Sequence, residues 1–133
     1  MSNLMIDTVR IFESAPEKTV KAGEVIFKLG DNDAHMFGII EGEVDLSIHG
    51  HPVETLAAGD IFGVGAIVHE DHMRASTAIA KTDCKIAEMN REHFFFAIQQ
   101  TPMFALEVMR SYSDRFRNLK MVHDALLTLE TPG

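Results

Sequence analysis

The stretch IFGVGAIVHEDHMRASTA, Ile61 to Ala78, contains the residues of this sequence whose types and spacing could do chemistry. Two glycines, Gly63 and Gly65, come before a solitary arginine, Arg74, which follows Gly63 by eleven positions. Glycine permits positive φ and close backbone approach, so that successive N–H groups can converge on one anion. A guanidinium supplies paired donors that can grip a phosphate from the opposite side. The stretch therefore predicts a phosphodiester pocket, and the alternative is a turn followed by a surface charge.

Two further features of this stretch fit an anion pocket. Ala66, Ile67 and Val68 can begin a short helix, and the N-terminal end of a helix favours negative charge. Arg74 is expected at the start of the strand that follows, where it would face the glycines.

The composition excludes several classes of protein. Hydrophobic residues make up 46% of the 133, and no apolar run approaches the roughly 18 residues of a membrane span. The N-terminus has early polar residues and lacks the apolar stretch of a secretory signal, so a cytoplasmic protein is expected. Cys84 is the only cysteine, which excludes an internal disulfide and any multi-cysteine metal site.

The charge does not favour nucleic-acid binding. The formal net charge is −8, from 20 acidic and 12 basic residues. The only cluster of basic residues lies in one late segment and comprises Arg110, Arg115, Arg117 and Lys120. Non-specific attraction to phosphate backbones would therefore be weak. Only residues 131–133 follow the long helix expected in this part of the chain, too few for a helix-turn-helix, so no direct nucleic-acid partner is expected.

Short β-rich runs separated by glycine fill the chain between residues 17 and 90. They are TVKA, EVIFKL, HMFGII, EVDLSIH, PVETLA, RASTAIAK and CKIAEM. Several short strands at regular spacing, with turn signals between them, indicate a sandwich or a barrel. The clearest alternation directs Val44, Leu46 and Ile48 to the core and the residues between them to solvent.

Helices are expected on both sides of the strands. Residues 1–16 predict a short helix that ends at Pro16. Asn90 can cap a second helix whose buried side would be drawn from Phe94, Phe95, Phe96 and Ile98. Thr101 and Pro102 then begin a helix of roughly 28 residues, about 42 Å long.

The long helix carries a heptad pattern. Its members are Ala105, Val108, Tyr112, Arg115, Leu119, Val122, Leu126 and Leu129. Such a seam favours a partner helix, and a helix of this length extends beyond a domain whose radius of gyration is about 14 Å. A homodimer through residues 102–130 is therefore predicted. The alternative is that the whole helix packs on its own barrel.

Taken as an ordered set, these residues resemble the cyclic nucleotide-binding domains of the catabolite-activator type, which also occur in kinase regulatory subunits and ion channels. The motifs that carry the resemblance are Gly23-x-x-Ile26, Gly30-Asp31, FGIIEGEVDL, GDIFG ending at Gly63, Arg74 to Thr77, Phe94 and Pro102. The resemblance implies one mainly β domain over residues 1–133. It would comprise a β-roll of the double-stranded β-helix, jelly-roll type over 17–90, with its phosphate cassette at 61–76, flanked by helices at 1–16 and 91–130.

The same resemblance implies a ligand and a site. The ligand would be a cyclic nucleotide, cyclic AMP or cyclic GMP, or a related small phosphate compound, bound by a non-enzymatic regulatory domain that acts on a downstream protein. In the family the purine often contacts the final helix, which makes Tyr112, Ser113 and Arg117 candidates. The implied ligand-binding residues are Phe62, Gly63, Val64, Gly65, Ala66, Arg74, Ala75, Ser76 and Tyr112.

One position departs from the family pattern. The family usually has a glutamate directly after the glycine that corresponds to Gly63, where its carboxylate accepts a hydrogen bond from the ribose 2′-hydroxyl. Val64 stands there instead and can accept none. The loss of a hydrogen bond to a charged group predicts binding that is about 10- to 150-fold weaker. Glu70 and Asp71 are the candidates for a substitute carboxylate.

Two other functions remain open. A pocket that has lost its ligand would leave a protein-interaction adaptor. His49-x-His51 followed by Glu54 is similar to the metal ligands of cupin barrels and would indicate an iron or zinc enzyme. The apparent tight hairpin at Gly50 argues against that reading. No nucleophile elbow, P-loop or acid pair is present, so no catalytic residue, metal or cofactor is predicted. His69 and His72 are expected to face solvent.

Overall fold

A computed structural model describes residues 15–130. The helix predicted over residues 1–16 lies outside the described residues, except for Ala15 and Pro16. The strands are β1 (Glu17–Val20), β2 (Val25–Phe27), β3 (His35–Glu41), β4 (Val44–Ile48), β5 (His51–Leu56), β6 (Ile61–Phe62), β7 (Thr77–Ala80) and β8 (Cys84–Asn90). The helices are α1 (Gly65–Val68), α2 (Arg91–Gln100) and α3 (Met103–Glu130).

The strands form two four-stranded antiparallel sheets. One has the order β1-β8-β3-β6 and the other the order β2-β7-β4-β5. Successive strands alternate between the two sheets, except for the β4–β5 hairpin, so the chain winds from one sheet to the other and back. The prediction of a mainly β roll with flanking helices is confirmed for the described part of the chain.

The space between the two sheets holds one hydrophobic core. Phe27, Phe37 and Phe62 meet there, with ring centroids 5.2–6.0 Å apart. Their partners from both sheets include Val44, Leu46, Leu56, Ala78, Ala80 and Ile86. Packed aromatic rings bury large apolar areas, so this trio stabilises the seam between the sheets.

A second core lies on the outer face of the β1-β8-β3-β6 sheet, where the helices cover it. Met36 and Met89 point to this side, whereas Phe37 and Ile86 on the same strands point into the roll. A strand that is covered on both faces has apolar residues in succession rather than in alternation. This explains the continuous apolar run in HMFGII of β3.

Two details of the predicted burial are wrong. Ile48 is 41% exposed, while Ser47 is buried, because the pairing of β4 with β5 shifts register between Leu46 and Ser47. In α2 the buried residues are Phe94 and Ala97, and Phe95 and Phe96 are exposed. The predicted cap of α2 is confirmed, since the side chain of Asn90 accepts a hydrogen bond from the His93 N–H at 2.8 Å.

The two halves of the long helix α3 differ in their contacts with the rest of the domain. Phe104 and Val108 are buried in the helix-side core, and Arg115 bonds to the β-roll. Farther along, Val122, Leu126 and Leu129 are 59%, 54% and 81% exposed. The first part of the heptad seam therefore packs on the protein's own roll rather than on a partner helix. No described helix is both long enough and apolar enough to cross a membrane.

Candidate functional site

A cavity of about 220 Å³ lies between the β-roll and the first half of α3. Seven of the nine predicted site residues line it: Gly63, Gly65, Ala66, Arg74, Ala75, Ser76 and Tyr112. The other lining residues are Phe27, Leu46, Glu54, His69, Met73 and Arg115. The structure thus brings most of the predicted residues together around one hollow.

Arg74 is the buried charge of this cavity, and its residue is only 4% exposed. It lies in the loop before β7, three residues ahead of the strand at whose start it was expected. Its backbone carbonyl accepts from the Gly30 N–H and its own N–H donates to the Asp31 carbonyl, both at 2.8 Å. Its guanidinium lies over the ring of Phe27, 4.0 Å from the ring centroid. The loop at residues 30–33 and strand β2 thus hold the arginine in place.

The hydrogen bonds of the Arg74 guanidinium are made inside the protein. Its Nε and Nη2 donate to the two carboxylate oxygens of Asp33. Nη2 also donates to the His35 carbonyl at 2.7 Å, and Nη1 donates to the Gly63 carbonyl at 2.9 Å. A guanidinium has five N–H donors, so one on Nη1 remains. A ligand could be gripped by two of these donors only if it displaced one of the present acceptors, among which Asp33 occupies two donors.

Sequence reasoning missed Asp33. The run Gly30-Asp31-Asn32-Asp33 reads as a polar turn, and nothing in its spacing shows which carboxylate returns to the cavity. The pairing joins residues that are 41 positions apart, so only the tertiary fold brings them together.

The backbone N–H groups around the cavity divide into occupied and unoccupied donors. The N–H groups of Val64, Ala66 and Ile67 have partners, namely the Tyr112 hydroxyl, the Gly63 carbonyl and the Val64 carbonyl. Among the described residues, no hydrogen bond is made by the N–H groups of Gly65, Ala75 and Ser76. These three residues all line the cavity, which therefore offers unpaired donors next to a guanidinium.

The two glycines of the cassette have different roles. Gly63 adopts φ +84°, and a Cβ there would lie 2.8 Å from Arg74 Nη1. Positive φ and the close approach of Arg74 both require glycine at this position. Gly65 instead begins α1 and has no positive φ, contrary to the expectation for this residue.

The side chains of Phe62 and Val64 face away from the cavity. Phe62 belongs to the core between the sheets, and Val64, only 7% exposed, packs in the core beneath the helices. At these two predicted positions only the backbone lies near the site. The side chain of residue 64 therefore takes part in packing rather than in the lining of the hollow.

The far side of the cavity holds an ion pair that joins α3 to β5. Arg115 Nε and Nη2 donate to the two carboxylate oxygens of Glu54 at 2.9 and 3.0 Å. Arg115 Nη1 donates to the Ile61 carbonyl at 2.7 Å, and the guanidinium lies over the Tyr112 ring. Burial opposes the charge of Arg115, but the hydrogen bonds to Glu54 and the neighbouring negative charge raise its pKa above the ordinary value.

The sequence did not predict this pair. It placed Arg115 in the dimer seam and offered Glu54 only within the alternative of a metal enzyme, against which the hairpin at Gly50 argued. It selected Ser113 and Arg117 instead, and both are exposed and do not line the cavity. The alternation of side chains along a strand could have indicated that Glu54 faces inward. Glu54 lies two residues before the buried Leu56 and therefore shares its face.

The histidines do not form a metal site in the described residues. His49 and His51 are exposed beside Gly50, while the carboxylate of Glu54 is paired with Arg115. Across residues 15–130, no three His, Cys, Asp or Glu side chains are grouped so that they could hold a metal ion. His72 hydrogen-bonds the Ala66 carbonyl through Nδ1 at 2.7 Å, and His69 lines the cavity despite its exposure.

The comparison with known families decides what kind of domain this is. The family model described as the cyclic nucleotide-binding domain matches residues 17–101. The chain belongs to the cyclic nucleotide-binding domain family. The match covers the whole β-roll, α1 and α2, and it includes the cavity residues from Phe27 to Ser76.

Individual relatives belong to several kinds of cyclic nucleotide-binding protein. The chain is 30% identical over 107 residues to a cyclic nucleotide-gated potassium channel of Rhizobium etli, covering 80% of the chain and 30% of the channel. It is 32% identical over 84 residues to a cAMP-dependent protein kinase regulatory subunit of Eremothecium gossypii, covering 63% of the chain and 18% of that subunit. The chain thus spans less than a third of the length of these relatives.

Solved structures share the fold at lower identity. The catabolite activator protein of Thermus thermophilus has a TM-score of 0.74 at 21% identity, covering 91% of this chain and 59% of that one. The c-di-GMP-responsive global regulator CLP of Xanthomonas campestris has a TM-score of 0.81 at 16% identity, covering 92% of this chain and 64% of that one. These likenesses show that the arrangement of sheets and helices is that of the family.

Replacing Gly63 with alanine should destabilise the protein. A Cβ at φ +84° is strained and lies 2.8 Å from Arg74 Nη1, so a loss of about 2 kcal/mol in the free energy of unfolding is expected. Gly65→Ala is the matched control, because a Cβ there meets His69 Cδ2 at an ordinary 3.6 Å and lies in a helix. Urea denaturation of both variants measures the difference. Equal stabilities would contradict the role given to Gly63.

Proposed function

We propose that this domain is a non-enzymatic regulatory sensor that binds a cyclic nucleotide, cyclic AMP or cyclic GMP, in the cavity between the β-roll and α3. The observation that carries the proposal is the set of anion donors that line one hollow. Arg74 lies there beside the unpaired N–H groups of Gly65, Ala75 and Ser76. A ring of preorganised donors in a partly buried site favours a phosphodiester over solvent.

Membership in the family supports this ligand. The matched region contains the loop from Gly63 to Arg74, and the relatives of Rhizobium etli and Eremothecium gossypii are a cyclic nucleotide-gated channel and a cAMP-dependent kinase subunit. The acidic net charge of −8 makes a single enclosed anion site more consistent with this chain than a broad phosphate-binding surface.

Three features support weak binding. Asp33 already neutralises Arg74, so a phosphate exchanges one anionic partner for another and the net gain is small. Val64 is directed into the core, so the position where the family usually has a glutamate supplies no carboxylate. A cavity of about 220 Å³ is also smaller than the roughly 300–1,000 Å³ of most small-molecule sites, so entry of a nucleotide widens it.

The same features favour a second function, that of a protein-interaction adaptor with a vestigial pocket. An arginine whose partners are already supplied by the protein, in a small cavity, needs no ligand for stability. Titration with cyclic nucleotides separates the two functions.

Calorimetric titration with cyclic AMP and cyclic GMP should detect binding that depends on Arg74. Arg74→Lys keeps the charge but loses the paired donors, and the affinity should fall by about 10- to 150-fold. Arg117→Lys is the matched control, since it makes the same chemical change on an exposed residue outside the cavity. The absence of heat and of any thermal shift with both nucleotides at millimolar concentration would favour the adaptor.

Removing the carboxylate that occupies Arg74 should strengthen binding. Asp33→Asn keeps the shape of the side chain but removes its charge, and the affinity for cyclic nucleotide should rise on the order of tenfold. Asp71→Asn controls for the change in net charge, because Asp71 bonds the Met73 N–H and does not contact Arg74. Affinity that is unchanged or lower in Asp33→Asn would show that Asp33 positions Arg74 rather than competing for it.

The same proposal includes a homodimer through the distal half of α3. Val122, Leu126 and Leu129 are exposed there at heptad spacing, together with Met121 and Leu127. An apolar stripe along an unpacked helix is the pattern of a coiled-coil seam. Since the first half of α3 contacts the cavity, a paired distal half would connect ligand binding to the geometry of two subunits.

Light scattering of the wild-type protein should report twice the chain mass of 14.8 kDa. A charged residue introduced into the seam should reduce the measured mass to that of one chain. Leu126→Glu places a buried carboxylate in the predicted contact and should yield a monomer at micromolar concentration. Thr128→Glu, an exposed position outside the seam, should leave the mass unchanged. A wild-type monomer at all concentrations would contradict the dimer.

A further inference from the structure

The two ends of the cavity differ in chemistry. At one end are Arg74 and unpaired N–H groups, all hydrogen-bond donors. At the other end is Glu54, the only acidic residue that lines the cavity within the described chain. The carboxylates suggested by the sequence as substitutes, Glu70 and Asp71, are exposed and do not line it.

The carboxylate of Glu54 is held rigidly but keeps acceptor capacity. Each of its oxygens accepts one hydrogen bond from Arg115, and Arg115 is fixed in turn by the Ile61 carbonyl and by stacking on Tyr112. A carboxylate has about four acceptor sites, so roughly one remains on each oxygen. The side chain of Glu54 is 16% exposed, which leaves it accessible from the cavity.

The ion pair decides what Glu54 can recognise. An incoming O–H group can donate to a remaining lone pair without breaking the bonds to Arg115. An incoming anion would instead be repelled by the carboxylate, and it could reach Arg115 only by replacing that partner. This end of the cavity is therefore suited to a neutral hydrogen-bond donor.

The two ends are anchored on nearby positions of the same backbone segment. Arg115 is anchored on the carbonyl of Ile61 and Arg74 on the carbonyl of Gly63. Residues two positions apart in a chain are separated by at most about 7 Å. A ligand that joins an anion to a hydroxyl over a short rigid ring, as in a ribose cyclic phosphate, matches this arrangement.

Resting on the proposed function, we infer that Glu54 accepts the hydrogen bond from the free 2′-hydroxyl of the ligand's ribose. Glu54 reaches the hollow from β5, whereas the side chain of residue 64 is directed into the helix-side core. The bonds from Arg115 to Glu54 and from the Val64 N–H to the Tyr112 hydroxyl join this carboxylate to the cassette. Glu54 is thus the residue that makes the site specific for a sugar with a free hydroxyl.

The test compares each cyclic nucleotide with its 2′-deoxy analogue in the full chain. Wild-type protein should bind the ribose form about 10- to 150-fold more tightly than the deoxy form. In Glu54→Gln this ratio should fall below about fivefold, because the acceptor is no longer charged. Glu70→Gln is the matched control and should keep the wild-type ratio. The readout is a ratio within each variant, so a general loss of affinity does not alter it.

A second variant covers the case in which Glu54→Gln leaves Arg115 unpaired and misfolds. Glu54→Leu with Arg115→Met removes both charges together and should also lose the discrimination. Equal binding of ribose and deoxy forms by wild-type protein would overturn the role of Glu54 and leave the sensor function intact. A preference between adenine and guanine that disappears in Glu54→Gln, with the deoxy ratio unchanged, would overturn it too. Binding of neither form by wild-type protein would overturn the sensor function and this inference with it.

Discussion

The site depends on how a guanidinium is kept inside the protein without a ligand. Arg74 is almost fully buried, and a buried charge without partners is costly. Asp33, the carbonyls of Gly63 and His35, and the ring of Phe27 all surround it. These partners come from separate parts of the β-roll, so the same charge that can hold a ligand also ties the cassette to the loops around it.

Under the proposed function, this constraint makes ligand binding an exchange of partners. A phosphate that enters the cavity would take up donors on Arg74 that Asp33 now occupies, so the affinity would reflect the difference between two anions. The N–H groups of Gly65, Ala75 and Ser76 have no competing partner among residues 15–130 and would provide additional attraction. Such a domain would tune its affinity through a residue that lies outside the cassette.

The long helix α3 has two different surroundings along its length. Its first half belongs to the domain, through Phe104 and Val108 in the core and Arg115 on Glu54. Its second half exposes an apolar stripe that the described residues do not cover. Under the proposed function, a change in the pocket would act on the orientation of the second half, because the first half also lines the cavity. The helix would then be the element through which the pocket influences a partner.

The sequence by itself determined the fold class, the order of the elements and the cassette. These features follow from local patterns: strand alternation between glycines, the Asn90 cap, and the spacing of Gly63 to Arg74 within an ordered set of family motifs. Of the nine site residues that the family resemblance implied, seven line one cavity.

Only the tertiary structure decided the electrostatics of the site. It paired Asp33 with Arg74 across 41 positions and Glu54 with Arg115 across 61, and it directed the side chain of Val64 into the core. It also placed Arg115 on the roll, although its heptad position is equally consistent with a dimer seam. A local pattern shows which residues share a face of a strand or helix. The partner of a charged side chain depends on which distant elements the fold packs against that face. No spacing within the sequence shows which elements those are.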